Sequence, residues 1–235
     1  MRSLYSRSVF GMVWIMASFG VFIVVKLVIF GTLFGEDRGS YYALYLSSGF
    51  FIWFVVNASI VSAAGTFISA QGFIKNDPLP LSVYVFKDVA RELINLGFTA
   101  LVLVAIFVYL RPSVEPVGFL SLAAVLVMIL NMVWVKLFFG VVATRYRDVR
   151  HAVETVMRVM LFLTPIFWMP DQIGSAINVL WWNPLFHFLE IFRAPLIDAS
   201  PALTSWIFVG VVTVVGWLLA LVVFGRYRDR VVFWI

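Results

Sequence analysis

The chain has 235 residues, 63% of them hydrophobic and only 12% charged, with a mean hydropathy of +1.03. A soluble domain carries roughly 25% charged residues, so this composition belongs to an integral membrane protein with no large soluble domain to house separate chemistry. There are no cysteines, which excludes disulfides, thiolate metal sites and cysteine nucleophiles, and the basic residues behind the net charge of +5 lie at the ends of apolar runs, where they read as a topology signal rather than a nucleic-acid footprint.

Six apolar runs are readable, at about residues 11–34, 41–70, 93–110, 118–143, 152–169 and 202–225. Spanning a bilayer takes ~20 apolar residues, so the expectation is an all-α protein of six transmembrane helices. No small-residue cleavage site follows the first run, which is therefore a span and not a signal peptide. It carries Phe19, Phe22 and Lys26. The second run is long enough to tilt or to lay its last turns at the interface. Tyr42, Tyr45 and Trp53 lie in its first half, and Ala58, Ser59, Ser62, Ala63 and Gly65 mark a close-packing face in its second. The segment from Gln71 to Pro80 that follows is short and rigid with prolines. It is either an interfacial turn or a surface that fits a partner's groove.

Lys136 falls inside the fourth run, and Arg145-Tyr146-Arg147-Asp148-Val149-Arg150-His151 separates the fourth from the fifth. Lys26 and Lys136 either meet water or phosphate within the membrane or snorkel to the nearer interface. Pro165 removes a helical hydrogen bond and kinks the fifth run. The stretch from Pro170 to Pro201 is too broken to span and too apolar for a solvated loop, and irregular backbone at membrane depth needs cover from protein or a water-filled cavity. Short re-entrant helices are expected there. Asn183 and Pro184 read as N-cap and first helical residue. A helix from Pro184 to about Arg193 places His187, Glu190 and Arg193 at three-residue spacing, so that Glu190 can pair with both neighbours. This is either a gate at the mouth of a path or a self-satisfied helix that dips into the membrane. His187 and Glu190 are too few ligands for a metal.

The basic residues alternate in side. Arg2, Arg7, Lys75, Lys87, Arg91, Arg145, Arg147, Arg150, Arg158, Arg226, Arg228 and Arg230 flank one set of ends, against Arg38, Arg111 and Arg193 at the other. The positive-inside rule then places both termini in the cytoplasm. No Asp or Glu lies deep in any run, since Glu92 and Glu154 fall near cytoplasmic ends. That argues against a proton- or ion-coupled carrier. No Walker A sequence is present, so any active transport draws its energy from a second protein. An intramembrane glycosyl- or acyltransferase needs convergent acids, histidines or nucleophiles, yet His151 and His187 lie on opposite sides in this topology.

Four stretches carry a resemblance to a known family. They are Arg7-Ser8-Val9-Phe10-Gly11-Met12-Val13-Trp14; Arg145-Tyr146-Arg147-Asp148 with Leu163-Thr164-Pro165-Ile166-Phe167-Trp168; Asn183-Pro184-Leu185-Phe186-His187-Phe188-Leu189-Glu190-Ile191-Phe192-Arg193; and Arg226-Tyr227-Arg228-Asp229-Arg230-Val231-Val232-Phe233-Trp234. In order and spacing the chain resembles the permease subunit of type-2 ABC exporters, in the branch that exports lipid-linked polysaccharides such as O-antigen. Only Met1–Ser8 precedes the first run, where that family begins with an amphipathic interface helix.

The resemblance implies a homodimer of six-span subunits in the bacterial inner membrane, with two copies of a separate ATP-binding cassette subunit. ATP and magnesium would belong to that partner, and this chain would hold no cofactor and no nucleic acid. The cargo would be a glycan on undecaprenyl pyrophosphate, with teichoic acid, capsule polysaccharide or a small drug as alternatives on the same architecture. Coupling to the ATPase would fall on Gly72, Phe73, Lys75, Asn76 and Asp77. Arg2, Tyr5 and Arg7 would meet the lipid pyrophosphate, since arginine pairs well with phosphate oxygens. Sugar C–H faces stack on aromatic rings and tolerate sliding, so Phe19, Phe22, Tyr42, Tyr45, Trp53, Phe162, Phe167 and Trp168 are candidates to line a polymer channel. Asn183, His187, Glu190 and Arg193 would form the extracytoplasmic gate.

Overall fold

The computed structural model describes residues 13–34, 39–76, 79–112, 116–170, 180–197 and 201–235. These form α1 (Val13–Phe34), α2 (Gly39–Ala63), the six-residue α3 (Gln71–Asn76), α4 (Leu81–Leu110), α5 (Leu120–Arg145), α6 (Asp148–Leu163), α7 (Pro184–Leu196) and α8 (Leu203–Trp234), with no strand among the described residues. Four stretches are long and apolar enough to cross a membrane: Gly39–Ala63, Leu81–Leu110, Pro116–Arg145 and Leu203–Trp234; α1 adds the shorter apolar stretch Met16–Lys26. Tyr5 and the basic residues Arg2, Arg7 and Arg38 lie outside the described residues, as do Asp77 and residues 171–179 of the broken segment.

The helices depart from the apolar runs at informative places. The second run stops being α-helical at Ala63, and Gly65 falls in the turn that leads to a short 3-10 element, Ile68–Ala70. α4 begins at Leu81 rather than near Leu93, because Lys87, Asp88, Arg91 and Glu92 are helical. The Asp88–Arg91 pair closes at 3.0 Å across one turn. α6 stops at Leu163, one residue before Thr164 takes the extended conformation (φ −98°, ψ 133°) that a following proline imposes. α8 continues to Trp234 and carries Arg226, Arg228 and Arg230 as helix residues.

α2 is the centre of the bundle and packs against α1, α4, α5, α6 and α7. Every residue from Tyr42 to Trp53 is buried, as expected of a helix that is apolar all round. The ends of the bundle sort into two faces. At one, Lys75 after α2 donates to the Ile235 carbonyl at 2.9 Å, and the Arg145 guanidinium sits 5.4 Å from the Trp234 ring. At the other, the start of α2 (Tyr42) meets Phe167, and the start of α5 (Ser121) donates to the Phe192 carbonyl at 2.7 Å. Helices α2, α4, α5, α6 and α8 therefore alternate in direction, and the face holding Lys75 and Arg145 is the one expected to be cytoplasmic.

Lipid supplies no hydrophobic drive between helices, so close packing and buried hydrogen bonds hold them together. The α5–α8 seam shows both. Asn131 donates to Thr213 at 2.9 Å and accepts from the Trp134 indole at 2.6 Å. The Trp134 ring lies flat over Gly216, where any Cβ would overlap it. Gly216→Ala should therefore destabilise the protein by about 1–3 kcal/mol through overpacking, read as a lowered thermal midpoint in detergent. Gly210→Ala, with no atom within 4 Å of the new methyl, should leave the midpoint unchanged.

Candidate functional site

Three features of the fold bear on function: a charged knot between spans, a braced break at the far face, and the outward-facing surfaces of α3 and α6. The knot joins α2, α4 and α5. The Lys136 ammonium, fully buried, lies 2.7 Å from Glu92 Oε1 and donates to Ser62 Oγ at 2.8 Å, while Ser62 in turn donates to the same carboxylate oxygen. Glu92 is 7% exposed, and its Oε2 has no hydrogen-bond partner. It lines a cavity of about 640 Å³ whose other walls include Trp14, Phe19, Phe22, Phe54 and Asn95.

This overturns two readings of the sequence. Glu92 is a buried acid and not an interfacial one, because α4 starts earlier than its apolar run. Lys136 does not snorkel; it is neutralised in place, which is how a charge survives in a low-dielectric interior. Ser62, read as a small packing residue, belongs to the same knot. Lys26 is half-buried, with its ammonium 5.6 Å from the Phe22 ring.

The break at Thr164–Trp168 is held from three sides. Tyr42 donates to the Phe167 carbonyl at 3.0 Å, and Tyr45 reaches the carbonyls of Pro165 and Trp168, both at 3.1 Å. Asn183 caps α7 by accepting from Leu185 N at 2.9 Å, and its amide donates to Thr164 Oγ1 at 3.0 Å and to the Leu163 carbonyl at 3.2 Å. Arg193 lays its guanidinium 3.8 Å over the Tyr45 ring and donates to the Pro165 carbonyl at 2.6 Å. A proline break frees backbone carbonyls that must find donors away from water. Here two phenols, an amide and a guanidinium supply them.

His187 is not beside Glu190. Its ring turns to α8, with Nδ1 3.0 Å from Ser205 Oγ and Nε2 3.1 Å from the Trp181 carbonyl, stacked 4.2 Å from Phe208. A carbonyl only accepts, so Nε2 carries the proton and Nδ1 takes the serine hydroxyl. Glu190 keeps one expected partner, Arg193, at 3.8 Å. The three-residue spacing put the residues within reach, but the Ser205 hydroxyl and the Trp181 carbonyl took the ring instead. Asn183, His187 and Arg193 are all buried, leaving Glu190 the most accessible of the four.

The aromatic candidates divide. Phe19, Tyr42, Tyr45 and Trp53 are buried within the subunit, and Phe22 packs edge-on against Phe50 and Phe54. Phe162 is two-thirds exposed, with Phe167 edge-on at 5.9 Å and the Trp168 indole donating to the Phe162 carbonyl at 3.1 Å. These last three form one outward cluster at the far end of α6. Along the same helix Arg150, Glu154 and Arg158 also face outward. At the near face, α3 is pinned by buried Ile74 and presents Gly72, Phe73, Lys75 and Asn76 to the outside, with Lys87 4.9 Å from the Phe73 ring. No cluster of three or more metal-ligating side chains occurs among the described residues.

The fold is thus a bundle of helices, four of them long and apolar enough to cross a membrane, with the short outward-facing α3 at one end and the braced α7 at the other. Residues 5–197 match the ABC-2 type transporter family, and the chain belongs to it. Among its relatives are two Klebsiella pneumoniae proteins, each described as the O-antigen export system permease protein RfbA. One is 24% identical over 232 residues, covering 96% of this chain and 88% of the relative. The other is 26% identical over 192 residues, covering 80% and 73%.

Removing one member of the charged knot leaves a bare buried charge. Lys136→Met should cost about 3–5 kcal/mol, and Glu92→Gln in that background should recover part of the loss. A double-mutant cycle on denaturant midpoints in detergent measures the coupling, and additive losses would show that the pair does not act as a unit.

Proposed function

We propose that this chain is the permease subunit of an ATP-driven exporter that carries polysaccharide on undecaprenyl pyrophosphate outward across the bacterial inner membrane. The observation that carries this reading is the likeness, nearly end to end, to an O-antigen export permease. Two copies of the chain, each crossing six times with both termini inside, would enclose the path. The alternating directions of α2, α4, α5, α6 and α8, together with the basic residues gathered at one face, support that topology. The chain itself makes and breaks no covalent bond.

The motor in this reading is a pair of ATP-binding cassette subunits docked on α3. Phe73 is 61% exposed, an apolar ring open to a groove on that partner. Ile74 anchors the same short helix to the bundle, so a push on Phe73 is delivered to the end of α2 and the start of α4. Those two helices are tied to α5 by the Glu92–Lys136 pair and Ser62, Glu92 lying about three turns into α4. Motor closure thus moves three spans together. The outer closure is α7 with the Thr164–Trp168 break, and the exposed Phe162 with the half-buried Phe167 and Trp168 is where sugar faces would stack as the polymer leaves. Arg2, Tyr5 and Arg7 remain the proposed contacts for the incoming pyrophosphate.

Charge reversal on α3, by Lys75→Glu together with Asn76→Asp, should leave the permease folded and ATP hydrolysis intact while export falls at least about ten-fold. That magnitude corresponds to ~1.4 kcal/mol of lost coupling. The measurement is vanadate-sensitive glycan uptake into inside-out vesicles containing the permease and its ATPase. Undiminished uptake would place the coupling elsewhere.

A further inference from the structure

α6 has three faces. Val153 and Met157 are buried against the bundle; Val156, Val159 and Leu163 are exposed and apolar; and Arg150, Arg158 and Phe162, exposed, form a third row at four-residue spacing with the half-buried Glu154. Side chains four apart lie on one side of a helix, so this row is a continuous stripe. Glu154 bridges it, 3.2 Å from Arg150 and 4.0 Å from Arg158. The arginine side chains are 58% and 78% exposed, and the stripe carries a net positive charge.

The depth of this stripe is what makes it informative. α6 starts at the basic face and runs 16 residues, about 24 Å at 1.5 Å per residue. Arg158 is ten residues beyond Asp148, or ~15 Å along it. Its neighbour Met157 lines the same cavity as Met128 and Met132, which lie near the middle of α5. Arg158 is therefore at mid-bundle depth and points away from the subunit. Near the middle of the bundle the outward face of α8 is apolar, with Val211 and Val215 exposed on either side of Thr213, which pairs with Asn131 of α5. A cation aimed at hydrocarbon there is costly unless it meets water or a partner charge.

We propose that the Arg150–Glu154–Arg158–Phe162 stripe borders a water-filled path, and that Arg158 is a binding residue for phosphate groups passing through it. This rests on the exporter reading above and names the chemistry that one face of its path would recognise. Arginine presents fixed, paired N–H donors that match phosphate oxygens. The acid beside it holds the guanidinium loosely, so that an anion can exchange for Glu154 rather than stay trapped. Phe162, one turn beyond, is where a sugar ring attached to that phosphate would stack.

The absence of cysteine from the chain makes the test clean. A single cysteine is introduced as Thr155→Cys, an exposed position beside Arg158, in the permease co-expressed with its ATPase. Anionic and cationic methanethiosulfonates of matched size are then applied to membranes. Both should label it, the anionic one ~5-fold faster than the cationic after normalisation to a free thiol, as expected from the one net positive charge that Arg150, Glu154 and Arg158 leave together. Inorganic pyrophosphate should slow the labelling. Arg158→Gln should abolish the preference and the protection, and Arg158→Lys should keep the preference. Val211→Cys on α8 should resist both charged reagents. Labelling of Thr155→Cys by a lipid-soluble maleimide alone, no labelling at all, or a charge preference and pyrophosphate protection indifferent to Arg158 would each overturn the proposal. ATP-dependent export by the cysteine-free parent in the same vesicles reports separately on the exporter reading.

Discussion

The ion pair between Lys136 and Glu92 is the contact on which the bundle's organisation depends. A charge of either sign alone in that position would be driven out of the membrane interior, and each is tolerable only because the other is 2.7 Å away. The pair therefore does more than attract. It forbids α4 and α5 from sliding past each other, because any slip exposes two desolvated charges at once. Ser62 extends the constraint to α2, the helix around which the others pack. The apolar contacts on either side are permissive by comparison, since lipid tails replace protein side chains at little cost.

Much of the architecture was legible in the sequence because hydropathy reports helix existence well. The break at Thr164-Pro165, the Asn183 cap and the basic bias toward one face were all readable from residue type and spacing. What hydropathy does poorly is locate ends. A window that treats charge as the end of a span cut α4 at Leu93 and so turned Glu92 from a buried residue into an interfacial one. One signal could have corrected it: a lysine in the middle of a long apolar run requires an anion, and Glu92 is an acid flanking a neighbouring run.

The site residues were harder to read, for a related reason. Spacing along one helix gives reach but not preference. His187 could have paired with Glu190; it bonds Ser205 and Trp181 instead because packing brings a hydroxyl donor and a carbonyl acceptor to its two ring nitrogens. The tyrosines of α2 carried the same ambiguity, since a ring suited to stacking on sugar is equally suited to lending its hydroxyl to a broken backbone. Arg158 was grouped with the interfacial arginines because the interval from Arg145 reads as one charged stretch. Only a helix counted from Asp148 carries it to depth. In each case the missing information was tertiary.

The bracing of the proline break has a mechanical corollary. Because Asn183 grips both the last turn of α6 and the first turn of α7, and Arg193 grips the break itself, the break, α7 and the outer half of α6 are tied together. Rotation applied at the Asp148 end cannot be absorbed at the kink, where a lone proline would act as a swivel. In the exporter reading proposed above, a twist of α6 at one side would then be carried to α7 at the other.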